Sequence, residues 1–121
     1  KLDVEAMKQA ASAFVGTHDF KSFCANKRMK KSTVRTIYDI DIKQKEQRLV
    51  LSFTGNGFLY QMVRILTGTL IEVGEGKRSP VEMEEILAAE NREAAGFTAP
   101  SRGLMLDEVF YEPYGKGTEM P

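Results

Sequence analysis

The sequence has little of what disulfide-bonded folds and metal centres require. It contains one cysteine, Cys24, and one histidine, His18, among 121 residues. A lone cysteine excludes an internal disulfide and is typical of a reducing compartment. Two possible ligands also fall short of the set that a structural zinc site uses, so we predict that the protein binds no metal.

Long apolar runs and an excess of one charge are also absent. No apolar run approaches the length of a membrane-spanning helix, and the N-terminus lacks a signal-peptide pattern, so we predict a cytoplasmic protein without a membrane partner. The 17 basic residues balance the 17 acidic ones, which argues against both a histone-like nucleic-acid binder and an acidic solvating protein. A chain of this length is expected to form one domain.

Charge is nevertheless unevenly distributed along the chain. Between Phe20 and Tyr38 there is no acidic residue, and the basic residues there are Lys21, Lys27, Arg28, Lys30, Lys31 and Arg35. Such a segment can neutralise several phosphates of a polyanion, and nearby aromatic residues can support it or stack on a base. An ordinary solvated loop has the same composition, so both interpretations stay open at this point.

Hydrophobic periodicity predicts an α+β domain with an antiparallel sheet packed against helices. Alternation predicts that Val34, Thr36, Tyr38, Ile40 and Ile42 share one face of a half-buried strand. The domain is predicted to span 1–112, and a loose tail to span 113–121. The predicted elements are a helix over 2–15, a turn over 17–20, an exposed loop over 26–32, strands over 33–43 and 49–53 paired as a hairpin, helices over 58–74 and 80–90, and a strand over 104–111.

The stretch 55–64 carries the most information about chemistry. It passes a turn flanked by glycines and opens a helix with an apolar stripe that is expected to bury one face. Arg64 lies off that stripe, on the side shared with Gly57, Gln61 and Gly68, where two glycines allow another backbone or a ligand to come close. A guanidinium binds carboxylate or phosphate oxygens bidentately and stays charged. The alternative is an arginine that only snorkels over the helix surface.

Four motifs then carry a resemblance to a known family. They are DFKSF at 19–23, KSTVRTI at 31–37, GNGFLYQMVR at 55–64 and APSRGL at 99–104. Together they resemble the C-terminal half of the tRNA pseudouridine synthase A family, in the right order and over nearly the whole chain. The resemblance implies one half of a pseudouridine synthase fold, in an enzyme whose two related halves form a cleft and which works as a homodimer.

The resemblance also implies an isomerase that converts uridine to pseudouridine in the anticodon stem-loop of tRNA, without metal or organic cofactor. One departure is important. The family's nucleophilic aspartate lies in an Arg-Thr-Asp motif of the N-terminal half, and neither Asp39 nor Asp41 matches that motif. We therefore expect this chain to lack the nucleophile, to be inactive alone, and to require its own N-terminal half as a partner.

The resemblance assigns roles to particular residues. Arg64 is expected to pair with the nucleophilic aspartate of the missing half. Phe58 and Met62 are expected to shape the wall of the substrate pocket, with Asn56 and Gln61 as polar substrate contacts. The residues expected to bind RNA backbone are Lys27, Arg28, Lys30, Lys31, Arg35 and Arg102. The alternative is a noncatalytic RNA-binding or dimerisation module with the same architecture, for which none of these residues has a catalytic role.

Overall fold

The structure is a computed structural model that describes residues 1–46, 48–100 and 109–114, the last of these as backbone alone. Three short 3-10 helices connect the longer elements at Lys21–Phe23, Pro80–Glu82 and Arg92–Ala94. The longer elements are α1 (Val4–Ser12), β1 (Gly16–Asp19), β2 (Val34–Lys45), β3 (Arg48–Gly55), α2 (Met62–Gly74), α3 (Met83–Ala89) and β4 (Val109–Tyr114).

The strands of the described residues form one four-stranded sheet in the order β1-β2-β3-β4. The first three are antiparallel neighbours, and helices pack against them. This confirms the predicted α+β class with an antiparallel sheet and the predicted β2–β3 hairpin. Strand β4 adds a parallel neighbour to β3, because the chain crosses through α2 and α3 before it returns to the sheet.

An extra residue, Tyr38, interrupts the pairing of β2 with β3. Ile37 pairs with Gly55, and Asp39 pairs with the next residue of β3, Thr54. Two residues of one strand therefore face one residue of the other, which is a β-bulge. A bulge shifts the alternation of side chains by one position, so the faces of β2 are exchanged on its two sides.

This bulge corrects the predicted alternation of β2. Ile42 and, in part, Ile40 face the core as predicted, but on the other side of the bulge the buried residue is Ile37. Val34 is 45% exposed and Tyr38 is 60% exposed. The prediction that these two share the buried face was wrong because strict alternation cannot anticipate an inserted residue.

Helix α2 is the central helix of the domain. Every residue in it is buried except Arg64 and Glu72, its two charged residues. The expectation that it buries only one face was wrong, because residues 95–99 pack against the helix beside Arg64, Gly68 and Thr69. The helix also begins at Met62, not at Phe58, since Gln61 adopts a left-handed backbone conformation with φ +59° that cannot continue into a helix.

The other helices follow their sequence signals more closely. Asp3 caps α1 by accepting a hydrogen bond from the N–H of Ala6 at 3.1 Å. Ser79 and Glu82 form the predicted capping box, but the first turn after it is a 3-10 helix, so α3 is shorter than predicted. The predicted stop of α2 at Gly74 is confirmed, and a Cβ there would lie 2.7 Å from the sulfur of Met7 on α1.

Two short strands differ from the sequence prediction. Residues 17–20 were predicted as a turn, but Gly16–Asp19 form the edge strand β1, which pairs with β2. Strand β4 reaches Tyr114 and so includes the start of the segment predicted as a loose tail. The rest of that tail, and the first part of the predicted last strand, lie outside the described residues.

No helix in the described part of the chain combines the length and the apolar character that crossing a membrane would require.

Candidate functional site

Arg64 lies in the first turn of α2, where one edge of its guanidinium is fixed. Its Nε donates a hydrogen bond to the carbonyl of Ala99 at 2.8 Å, and the N–H of Ala99 donates to the carbonyl of Arg64 at 3.0 Å. No other hydrogen bond or ion pair joins this guanidinium to a residue that the structure describes. The partly buried side chain therefore presents its terminal nitrogens as a fixed donor edge, which suits one carboxylate or phosphate.

Residues 95–99 pack directly on α2 beside Arg64. A Cβ at Gly68 would lie 1.8 Å from the carbonyl oxygen of Phe97, and a Cβ at Gly96 would lie 2.8 Å from the Cα of Thr69. Only glycine allows two backbones to approach so closely. The predicted close approach at Gly68 is confirmed, and the group that approaches is the backbone of this chain.

Thr69 fixes the same segment by a hydrogen bond. Its buried Oγ1 accepts from the N–H of Gly96 at 2.8 Å and donates to the carbonyl of Ile65 at 2.8 Å. The packing at Gly68 and this hydrogen bond together hold the segment whose carbonyl orients Arg64. We define the Arg64 cluster as Arg64, Gly68, Thr69, Gly96, Phe97 and Ala99.

The loop before α2 carries the two residues predicted as polar substrate contacts. Asn56 continues the pairing of β3 with β2, because its N–H donates to the carbonyl of Thr36 and its Oδ1 accepts from the N–H of Thr36, both at 3.0 Å. Gln61, in its left-handed conformation, places its Nε2 3.4 Å from the hydroxyl of Tyr60. Strained residues of this kind concentrate at functional sites.

Phe58 in this loop and Met62 at the start of α2 lie in the hydrophobic core. Both are 0% exposed, and the sulfur of Met62 accepts a hydrogen bond from the N–H of Leu59 at 3.4 Å. A side chain without exposed surface offers no face to a ligand. Within this chain the two side chains are part of the core, and their place in the wall of the substrate pocket stays a prediction.

The predicted exposed loop over 26–32, which we call the basic loop, forms the basic edge of the domain. Arg35, next to it on β2, donates from Nη1 to the carbonyls of Ser32 at 2.9 Å and Val34 at 2.8 Å. Arg102 lies outside the described residues. The exposed cations of the loop itself form no ion pair with any described residue, and they are Lys27, Arg28, Lys30 and Lys31.

Aromatic residues hold the start of the basic loop from inside the core. Phe20 and Phe23 are 0% exposed, with ring centroids 6.2 Å apart in an edge-to-face arrangement. The N–H of Ala25, the residue before the basic loop, donates to the carbonyl of Tyr60 at 3.1 Å in the loop that leads to Arg64. The two phenylalanines support the loop and are not available to stack on a base.

Comparison with known proteins identifies the family. A model of the family described as tRNA pseudouridine synthase matches residues 10–112, a range that contains the Arg64 cluster and the basic loop. The chain belongs to the tRNA pseudouridine synthase family. This confirms the resemblance that the four sequence motifs indicate.

Several curated relatives carry the name tRNA pseudouridine synthase A. The chain is 54% identical to the protein of Brevibacillus brevis over 110 residues, which are 91% of this chain and 45% of the relative. It is 57% identical to the protein of Halalkalibacterium halodurans over 104 residues, 86% of this chain and 40% of the relative. It is 50% identical to the protein of Bacillus subtilis over 112 residues, which are 93% of this chain and 45% of the relative. The chain thus spans less than half the length of these relatives.

Three charged residues that the sequence analysis did not single out hold the chain between Ala94 and Thr98, next to the Arg64 cluster. Arg78 donates from Nε to Glu72 at 2.6 Å and from Nη1 to the carbonyl of Ala94 at 3.0 Å. Arg92 donates from Nη2 to the hydroxyl of Thr98 at 3.0 Å. Burial lowers the pKa of the Arg92 guanidinium, and the nearby charge of Glu72 acts in the opposite direction. The one signal in the sequence is Glu72, an acid in an otherwise apolar stretch of helix.

The two possible metal ligands in the sequence, His18 and Cys24, have local contacts. The ring Nε2 of His18 lies 3.1 Å from the carbonyl of Val15, and the buried thiol of Cys24 donates to the carbonyl of Asn26 at 3.5 Å. Within the described ranges, no three His, Cys, Asp or Glu side chains are grouped so that they could hold a metal ion.

Proposed function

We propose that this chain is the C-terminal half of an isomerase that converts uridine to pseudouridine in the anticodon stem-loop of tRNA. Membership of the tRNA pseudouridine synthase family supports the reaction, and the coverage of 45% of the Brevibacillus brevis relative supports the assignment to one half. The observation that carries the proposal is the geometry of Arg64, a partly buried guanidinium whose one hydrogen bond to a described residue runs from Nε to the carbonyl of Ala99.

The proposed reaction needs such an arginine. Pseudouridine formation breaks the bond between the ribose and N1 of uracil and joins the ribose to C5 of the same base. C5 loses its hydrogen, and N1 gains one. The base must leave the helical stack before this happens. An aspartate that starts the reaction has to stay ionised in a closed pocket, where burial raises its pKa. A guanidinium paired with it offsets that effect.

The nucleophile is proposed to come from the N-terminal half. The two aspartates in the middle of this chain lie on β2, where Asp41 is paired with Lys43 at 3.7 Å and Asp39 is exposed. Neither belongs to the motif of the family nucleophile. The fixed donor edge of Arg64 is therefore assigned to a carboxylate that the other half contributes.

The other site residues support this arrangement. Asn56 and Gln61 are proposed as polar contacts at the pocket edge, and Phe58 and Met62 as the packing beneath it. The cations proposed to bind RNA backbone are Lys27, Arg28, Lys30, Lys31, Arg35 and Arg102. By the same resemblance, the intact enzyme is proposed to be a homodimer in the cytoplasm that uses no metal or organic cofactor.

The test measures release of tritium from tRNA labelled at C5 of uridine. One sample is this chain alone. The other, called the chimera, joins this chain behind the part of the Brevibacillus brevis relative that the alignment leaves uncovered. We expect no release by the chain and sustained release by the chimera, because only the chimera contains both the carboxylate and Arg64.

Two outcomes would contradict the proposal. Release by the chain alone would show that the nucleophile lies within it. An inactive chimera that binds tRNA, beside an active Brevibacillus brevis protein in the same assay, would favour a noncatalytic RNA-binding module. The basic loop, whose cations are unpaired within the described residues, makes that module the second candidate.

A further inference from the structure

A groove separates the basic loop from the turn that follows α3. Its volume is about 410 Å³, which is within the range of about 300–1,000 Å³ for small-molecule sites and leaves room for more than one phosphate group. Lys27 and Lys31 of the basic loop line it, as do Arg92 from the segment after α3 and Lys21 from the 3-10 helix Lys21–Phe23. The fold thus brings Arg92 opposite the loop, from a distant part of the sequence.

The charges in this groove favour an anion. Lys21, Lys27 and Lys31 have no ion-pair partner among the described residues. Two acids also line the groove, Asp19 and Glu90. The Asp19 carboxylate already accepts hydrogen bonds within the fold, from the N–H of Lys21 at 3.1 Å and from a threonine hydroxyl at 2.5 Å. Four cations against two acids leave the groove positive.

The lining also favours one part of a nucleic acid over another. None of the described residues that line the groove is aromatic. Single-stranded bases are generally bound by stacking on aromatic side chains, whereas phosphates are bound by Lys, Arg and small polar groups. The groove therefore has the chemistry for a sugar–phosphate backbone and not for base stacking.

We propose that this groove binds a stretch of RNA backbone, with Lys31 and Arg92 contacting phosphates from opposite sides. The inference rests on the proposed function, because it takes tRNA as the RNA, and it adds Arg92 and Lys21 to the binding surface. It also divides the basic loop, since Lys31 lines the groove and its neighbour Lys30 does not. Backbone contacts carry no sequence information, so the groove serves tRNAs of different sequence equally.

The test measures binding of this chain to two fluorescent, unmodified tRNA transcripts of different sequence, by anisotropy across a salt series. Lys31→Gln and Arg92→Gln should each weaken binding about three- to tenfold on both transcripts. Each should also reduce the slope of log affinity against log salt by about 0.7–0.9, the loss of one phosphate contact. Lys45→Gln is the matched control, because it removes the same charge from an exposed lysine that has no ion pair among the described residues and does not line the groove. It should stay within about twofold of the parent chain.

Two further samples separate RNA binding from a structural role of Arg92 and from a site for free phosphate. Arg92→Lys keeps the charge but cannot reproduce the planar fork of the guanidinium. If this variant still binds tRNA, Arg92 contacts a phosphate. If it loses tRNA binding, Arg92 acts by bracing Thr98, and its proposed contact with RNA in the groove is overturned. Inorganic phosphate, added at the concentration of the RNA phosphates, should not displace the transcript. Displacement would indicate a site for the free ion and overturn the assignment to RNA.

Equal losses for Lys45→Gln and Lys31→Gln, or no binding by the parent chain at low salt, would overturn the groove. The proposed function is tested separately by turnover of the chimera at saturating tRNA. If the chimera with Lys31→Gln keeps its turnover at saturating tRNA, the isomerase assignment stands. If the same variant also binds tRNA as tightly as the parent chimera at low enzyme concentration, the groove is overturned.

Discussion

The Arg64 cluster and the basic loop both present cations, but the fold treats them in opposite ways. Arg64 is partly buried, and a hydrogen bond to Ala99 fixes its Nε. The loop cations are exposed and have no ion pair among the described residues. A fixed cation can orient one reacting group, whereas exposed cations attract any polyanion. The two regions should therefore respond differently to substitution, the first in stability and turnover and the second in binding.

The packing around Arg64 should be the most sensitive part of the comparison. Gly68→Ala places a Cβ where the carbonyl of Phe97 lies, at 1.8 Å, so we expect a loss of about 2–3 kcal/mol in the free energy of unfolding. Helix propensity alone predicts a gain of about 1 kcal/mol. The sign of the change in the free energy of unfolding therefore shows whether the close contact with Phe97 or helix propensity dominates. Urea unfolding of the chain measures it.

A second glycine provides the control for Gly68→Ala. Gly76 has open space around the position of a Cβ but adopts φ +81°, which asparagine tolerates better than alanine does. Gly76→Asn should change the free energy of unfolding by less than about 1 kcal/mol. If Gly68→Ala were as mild as this control, the contact between α2 and residues 95–99 would not be as tight as described.

The hydrogen bond from Gly96 to Thr69 should have the next largest effect. Thr69→Val leaves the buried N–H of Gly96 without a partner, so we expect a loss of about 1–3 kcal/mol in the free energy of unfolding. In the chimera, turnover should also fall, because Arg64 loses its support. Thermal or urea unfolding and tritium release measure the two effects.

Thr67 offers a closely matched comparison for this substitution. Both threonines are 0% exposed, and both donate from Oγ1 to the carbonyl four residues earlier at 2.8 Å. Thr69 in addition accepts from the N–H of Gly96, which lies outside the helix. Thr67→Val should therefore cost less than about 1 kcal/mol in the free energy of unfolding and leave turnover unchanged. Equal costs would mean that the bond to Gly96 contributes nothing.

Substitutions in the basic loop should have the smallest effect on stability. Changing Lys30 and Lys31 together to alanine should alter the free energy of unfolding by less than about 0.5 kcal/mol, because both side chains are exposed. The same change should weaken tRNA binding and flatten its salt dependence. Urea unfolding and anisotropy across a salt series measure the two quantities.

A double substitution elsewhere removes the same charge. Lys8 and Lys77 are exposed and paired with Glu5 and Glu75, at 3.9 and 3.1 Å. Their joint change to alanine should leave the salt dependence of tRNA binding as it is in the parent chain. If both double variants lost binding equally, net charge would account for the binding and no particular surface would be needed.

The parts of this fold that could be predicted from sequence are those with local causes. The capping box at Ser79 and the hairpin of β2 and β3 depend on neighbouring residues, and both were predicted. The close approach at Gly68 was also predicted, because only a glycine permits it. Each of these features appears in the chain as a short, recognisable pattern.

The features that could not be predicted depend on distant partners. The bulge at Tyr38 is decided by pairing with β3, and Asn56 closes that pairing through Thr36. Strand β1 has few residues and becomes a strand only beside β2. The place of Arg92 opposite the basic loop follows from the path of the chain through α3, for which the sequence contains no pattern. These are tertiary effects that local propensity does not contain.

Single-turnover rates of the chimera with Arg64→Lys test the central claim most directly. Lysine keeps the charge but loses the planar fork and the bond from Nε to Ala99, so we expect the rate at saturating enzyme to fall about a hundredfold or more while tRNA affinity stays within about twofold. Arg35→Lys, in an arginine that also donates to backbone carbonyls, should keep the parent rate. A parent-like rate in Arg64→Lys would contradict the pairing of Arg64 with the catalytic carboxylate.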